Sequence, residues 1–342
     1  MFAKGMKRVF TFIISNLLLI SIIPSLYAMS DTAGMGPITY KNSFPLYLLF
    51  FSFTPDRAQT LTRGSSKFRL DTGIQNFIVD DEFDDYDAVV DMEVIRTSLN
   101  LNYGVRDDLE MGIEIPFYIL YKGFLDSFIL DFENSIHAYT PMSRQNNGVN
   151  NFTYLLRHGN ETLISMDSPY GGIGDIALTL KIRHLYNSKI KYMPSISTRY
   201  AIKVPTGDND RFLGSGEVDL GIGVILEKSF GILSNYINLN GIFSVGDPDL
   251  FKDMEMDPIF SYTIGTEFPL TERSSLLLQL IGNTSPFPET GLTSLDNQVM
   301  DFLLGFNYLI GKDKVFQFGL TENILDDSSP DFSIHVGISM IF

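Results

Sequence analysis

Leu109, Met111, Ile113, Ile115, Phe117 and Ile119 put an apolar side chain at every second position, with Glu110, Gly112, Glu114 and Pro116 between them. A period of two gives an extended chain one apolar and one polar face, because successive side chains of a strand point to opposite sides. The same period returns in residues 68–78, 99–103, 176–182, 196–204, 218–226, 237–245, 260–270, 276–280, 302–310, 316–320 and 332–342, making twelve such stretches in all. A two-faced strand must lay its apolar side against something: a second sheet in a soluble sandwich, or lipid around a membrane barrel.

The spacing of the stretches decides between these. Short turns near residues 104–108, 186–189, 228–232, 271–274 and 311–314 alternate strictly with long loops near 79–90, 122–172, 205–215, 246–257, 283–298 and 322–329. Outer-membrane barrels have this asymmetry, with short periplasmic turns and longer outer loops. Many stretches run to roughly ten residues or more, enough for a tilted strand to cross a bilayer. Aromatics such as Tyr103, Phe117, Tyr121, Tyr186 and Tyr308 stand toward their ends, where interfacial girdles form. An even count lets the wall close and removes both exposed edges. The fold expected is therefore all-β: a transmembrane antiparallel up-and-down barrel of about twelve strands over residues 66–342. A fourteen-stranded version would need a further strand between Val149 and Met166.

Residues 1–28 have the build of a secretory leader. Lys4, Lys7 and Arg8 precede an apolar run that ends at Tyr27 and Ala28. Removing the leader takes the formal charge from −16 to −19, a poor match for nucleic acid, whose binders present basic surfaces. The chain has no Cys, so it holds neither disulfide nor thiolate metal site. Residues 29–65 fall outside the count of strands. Their apolar stretch LYLLFFSF, Leu46–Phe53, would be a thirteenth strand, so the segment is expected to pack in or below the barrel as a periplasmic or plug-like piece. Inside the 122–172 loop, Phe124, Leu125, Phe128, Ile129, Phe132 and Ile136 recur at helical spacing. An outer amphipathic helix is expected there, either resting on the barrel mouth or forming a constriction.

On the polar faces, Lys181, Arg183, Arg199 and Lys203 lie on two adjacent strands and Glu217, Asp219 and Glu227 on the next, with Asp301 and His335 farther along. These are the candidate lumen-lining residues. Opposite charges on neighbouring strands pair across a wall, so they describe either a self-satisfied interior or a polar path for a small solute. The histidines, His137, His158, His184 and His335, are scattered. A lipid-acting hydrolase would need a Ser or Asp brought to one of them by folding; a structural or adhesive surface protein would use the acidic outer loops. GDNDRFLGSGE and YGGIGD are rich in Gly and Asp, fit no calcium loop, and read as turn chemistry. No cofactor or metal is called for.

Together, GPITYKNSFPLYL near the mature N-terminus, GFLDSFILDF with SRQNN after it, GGIGDIALTLKIR, AIKVPTGD and the terminal Phe342 resemble the outer-membrane family of unknown function catalogued as DUF3187. GIGDIALTLK and KVPTGD are also similar to barrels of phenol-degradation operons, presumed uptake channels. The resemblance implies an outer-membrane barrel with no established activity and directs attention to Asp126, His137 and Arg144 in the long loop. It also implies that the last strand, with Phe332, Ile334, Val336, Ile338, Met340 and Phe342 on one face, is the signal that barrel-assembly machinery reads. The activity expected is that of a passive channel or solute-binding pore in the outer membrane. Its partners would be lipid, the assembly machinery during insertion, and a small solute.

Overall fold

A computed structural model describes residues 34–125, 150–186, 193–251, 255–287, 290–325 and 329–342. The chain forms β1 (Ser66–Phe83), β2 (Tyr86–Arg106), β3 (Leu109–Tyr121), β4 (Thr153–His158), β5 (Glu161–Met166), β6 (Tyr170–Ile173), β7 (Ile176–Leu185), β8 (Ser195–Val204), β9 (Asp219–Phe230), β10 (Leu233–Ser244), β11 (Ile259–Pro269), β12 (Ser274–Asn283), β13 (Val299–Ile310), β14 (Lys314–Asn323) and β15 (Phe332–Ile341). Strands β1, β2, β3 and β7 to β15 pair antiparallel with their neighbours in turn, and β15 returns to β1. The result is a closed barrel of twelve wall strands. At the seam Phe68 faces Met340 and Ile74 faces Ile334, and Ser66 and Phe342 exchange backbone hydrogen bonds of 2.8 and 2.9 Å.

The alternation decides which side chains go where. Leu101, Met111, Leu178, Ile202, Ile222, Leu239 and Phe260 point outward and are exposed, whereas Asp71, Glu114, Lys181, Arg199, Asn238, Gln279 and Asn307 point inward and are buried. On β15, Ser333, His335 and Ser339 are buried. The alternate set faces the other way: Val336, Ile338 and Phe342 are exposed, and Phe332, Ile334 and Met340 are half-buried. Among the described residues no helix is long and apolar enough to cross a membrane, which says nothing about crossing by strands.

Two expected loops carry strand. Residues 79–90 form no long loop: β1 and β2 continue to Phe83 and from Tyr86, and turn at Asp84 with φ 52°. The acidic run DDEFDD disguises this, since Asp is depleted in strands. Here the hairpin rises past the wall, where its acids stand in water. The stretch between Val149 and Met166 holds two strands, β4 and β5, joined by a Gly159–Asn160 turn with φ 57° at Gly159. Gly-Asn is a hairpin signal. This hairpin adds to the protruding part of β2, with Tyr86 opposite His158 and Asp91 opposite Thr153, and β6 adds to β3. Neither enlarges the wall, so the count stays at twelve. The expected helical stretch, with Asp126, Phe128, Ile129, Phe132, His137 and Arg144, lies outside the described residues, as do the leader and residues 29–33.

Candidate functional site

The functional question lies in the lumen, and residues 34–65 run through it. The segment begins near the short-turn rim, where Met35 and Gly36 donate backbone N–H groups to Glu267 at 3.0 and 3.1 Å. It climbs the lumen to a 3₁₀ turn at Pro45–Leu49 and descends to Leu61, whose N–H meets Glu110 at 2.9 Å, before entering β1. At the long-loop end the stretch Phe44–Phe53 packs with Phe77, Val79, Met92, Leu120, Tyr154, Phe251 and Phe287 in one buried apolar cluster. These residues could not pair as a strand, because every wall strand already has two partners.

A chain inside a closed barrel faces a specific problem. The wall's backbone groups are used in its own ladder, yet buried N–H and C=O groups must be paired. Inward-facing amide side chains, which offer both a donor and an acceptor, provide the pairs. Gln279 accepts from Ile38 N–H at 2.6 Å and donates to Ile38 C=O at 3.2 Å. Gln75 accepts from Ser43 N–H at 2.7 Å and donates to Lys41 C=O at 2.8 Å. Asn238 holds the N–H and C=O of Asp56 at 3.0 and 3.1 Å. Asn307 and Gln317 reach Gly36 and Pro37 C=O at 2.9 and 3.2 Å. These amides are legible in the sequence as polar partners in the alternation, but nothing local marks them as partners for a threaded segment.

The candidate charges divide by where they sit. Lys181, Arg199, Lys203, Asp219, Glu227, Asp301 and His335 are inward and buried. Arg183 is half-buried at the short-turn end of β7, 5.0 Å from the Tyr186 ring centre. Glu217 precedes β9 at the long-loop rim, half-buried against Gly246, and does not belong to a wall strand.

Pairing across the wall joins Lys203 to Asp219, which face each other and approach to 3.0 Å, and Lys181 to Glu110 at 3.4 Å. Lys181 faces Glu110 of β3 on one side and Arg199 of β8 on the other, and like charges directly opposite repel. The threaded segment supplies what the wall lacks. Asp56 lies 2.7 Å from Lys181, which also meets Glu110 at 3.4 Å. Arg57 lies 2.5 Å from Glu227, whose other oxygen accepts Ala58 N–H at 3.0 Å. Arg199 donates to Thr54 C=O at 2.7 Å and to Asn240, and stands 4.3 Å over the Phe53 ring centre. Burial alone would push the Asp56 carboxyl up, but the Lys181 ammonium, with Lys67 and Arg199 nearby, holds it below the usual carboxylate range. Burial pulls Lys41 down to about 8 against the attraction of Glu114, 3.1 Å away.

Asp301 accepts the Tyr40 hydroxyl at 2.5 Å. His335 meets the same ring edge-on, 4.9 Å between centres, and its Nε2 has no hydrogen-bond partner among the described residues. His158 stacks on Tyr86, 4.2 Å between ring centres. His184 Nε2 meets the Thr198 hydroxyl at 2.8 Å. The Gly- and Asp-rich loops serve the rim: Asp175 gathers the N–H groups of Thr206, Gly207 and Ser215 at 3.0, 2.8 and 3.3 Å and meets Lys203 at 2.9 Å.

A sequence profile of the family described as a protein of unknown function, DUF3187, matches residues 13–342. The chain belongs to that family. A search of curated proteins finds no match. Among solved structures, an outer-membrane channel from Pseudomonas putida F1 is similar, with 12% identity, a TM-score of 0.57, and coverage of 85% of this chain and 100% of that one. The NanC porin, with 8% identity, aligns over 80% of this chain and 98% of its own at a TM-score of 0.46. The KdgM porin, with 7% identity, aligns over 81% and 99% at 0.42. At such identities the first likeness speaks for the fold alone: this family member has the fold of an outer-membrane channel.

Proposed function

We propose that this protein is an outer-membrane channel for a small solute, passive in mechanism and closed in its resting form by residues 34–65. The outward ring of Leu101, Met111, Leu178, Ile202, Ile222 and Leu239 suits lipid and would be costly to leave in water. In this reading the short-turn rim is periplasmic and the long loops are outside, as in outer-membrane barrels generally. Residues 1–28 are then the export leader, and the outward row of β15 is what the assembly machinery reads.

The observation that carries the channel reading is the incompleteness of the wall. Lys181, between Glu110 and Arg199 in the wall, makes its shorter ion pair with Asp56 of the threaded segment, and Glu227 takes its cation, Arg57, from that segment. A barrel filled only for stability would satisfy its own interior across the strands. Here the partners come from a segment tethered at one end to β1, which can move without breaking a single wall hydrogen bond.

Planar-bilayer recording tests this. The mature protein should give small or rare conductance steps, and the protein lacking residues 34–61 should give larger, persistent ones. If neither conducts while both migrate on gels as heat-modifiable barrels, the channel reading fails.

A further inference from the structure

The threaded segment does not fill the lumen evenly. Between its descending limb and the arc of β1, β2, β3, β7 and β8 lies a cavity of about 70 Å³, room for about five waters. Four cations and three acids line it: Lys67, Arg69, Lys181 and Arg199 against Asp56, Glu110 and Glu114. Each acid already has a cation, since Asp56 and Glu110 meet Lys181 at 2.7 and 3.4 Å and Glu114 meets Lys41 at 3.1 Å and also Arg96.

Two of the cations, Lys67 and Arg199, have no acid in direct contact in return. Lys67, facing Asn102 across the β1–β2 pair, lines the cavity, and its ammonium makes no hydrogen bond or close ion pair among the described residues. Arg69 pairs with Asp71 at 3.5 Å and donates to Gln317 through another nitrogen, while its Nε is buried without a hydrogen-bond acceptor. Arg199 is held directly by Asn240 and a backbone carbonyl, with Asp56 acting on it from farther off. Asn102 and Thr179 converge over Gly112, where any side chain would collide with both, and bring neutral hydrogen-bonding groups to the same space. Lys67 is half-buried, and the acids that act on it, Asp56 and Glu110, are already engaged by Lys181; an ammonium sharing its counter-charges in this way is costly to enclose, and a small anion would lower that cost.

We propose that this cavity is a binding site for a small organic monocarboxylate, with its carboxylate on Lys67 and Arg69 and its short apolar end toward Phe51 and Phe53. The assignment deepens the channel reading by naming the solute class, and rests on that reading only for what happens after binding. In a chain of net charge −16, an anion would be repelled from most of the surface. A pocket where cations exceed acids is therefore a selective one.

Calorimetric titration of the folded mature protein in detergent provides the test, with sodium propionate as the probe and ethylammonium as its cationic counterpart. Propionate should bind saturably and ethylammonium should not. Lys67→Met should weaken propionate about tenfold or more, the loss of one charge-assisted hydrogen bond. Asn102→Asp, which keeps the size and adds an acid opposite Lys67, should weaken it as well. Heat-modifiable migration establishes that both variants keep the barrel. No saturable propionate binding, equal binding of ethylammonium, or unchanged affinity in both variants would overturn the site. A protein that conducts without binding propionate loses the site and keeps the channel; one that binds without conducting keeps the site and loses the channel.

Discussion

The two limbs of the threaded segment cross the same lumen but are held by different forces. The ascending limb, residues 34–43, makes no ion pair before Lys41. Its backbone is clasped by Glu267, Gln279, Asn307, Gln317 and Gln75, and Ile38 fits over Gly305 and Gly319, which face each other on β13 and β14. The descending limb, residues 51–61, is fixed by charge through Asp56 with Lys181 and Arg57 with Glu227. Apart from Glu267 these clasps are amides, and cutting one leaves only neutral groups unpaired. Buried ion pairs are weak net contributors while intact and expensive when half removed. The descending limb is thus the one a single charge change can release.

The absence of cysteine allows each limb its own reporter, Thr39→Cys on the ascending and Ala58→Cys on the descending one, read by maleimide labelling of the folded protein. The largest effect is expected from Lys181→Met, which leaves Asp56 and Glu110 without their cation and costs about 3–5 kcal/mol. Position 58 should become reactive while position 39 stays protected. Simultaneous labelling would show that the limbs move as one unit and remove the distinction.

Next comes Gln279→Leu. It orphans the N–H and C=O of Ile38, both neutral, at about 1 kcal/mol for each group, and should expose position 39 and spare 58. Gly305→Ala tests the same limb without touching a polar group, since the added methyl collides with Ile38 Cδ1. Overpacking of this kind costs about 1–3 kcal/mol, and labelling at position 39 should rise less than in Gln279→Leu.

The smallest effect is that of mild acid. With its carboxyl held below the usual range, Asp56 stabilises docking in full above the ordinary aspartate value of about 3.9 and loses that contribution only as pH falls through its lowered value. Protection at position 58 should therefore be the same at about pH 7 and about pH 5, and decline only in stronger acid. A decline centred near neutrality would mean that another group governs the limb.

Much of the wall could be read from the chain alone. The strand-like stretches at 68–78, 109–119 and 176–182 fall within β1, β3 and β7, because alternation is a local property that survives any tertiary context. Legibility failed where two local signals conflicted. DDEFDD looked like loop because acids are poor strand formers, yet it belongs to a hairpin standing clear of the wall. Tyr154 and Leu156 alternate as a strand should, but their short run and Gly-Asn turn were hidden inside a long interval. In the candidate site, Lys181, Arg199, Lys203, Asp219 and Glu227 were identifiable as inward from their phase. Glu217 shared that phase but falls before β9 begins.

The sequence by itself determined a closed, two-faced wall with polar groups inside, since strand periodicity and loop length are written within a few residues of each position. Only the tertiary structure decided what occupies the interior. Asp56 meets Lys181 across 125 positions and Ile38 meets Gln279 across 241, and no local pattern couples residues that far apart. Closure of the barrel brings them together, and a saturated backbone ladder leaves side-chain amides and charges as the groups that can hold a segment inside it.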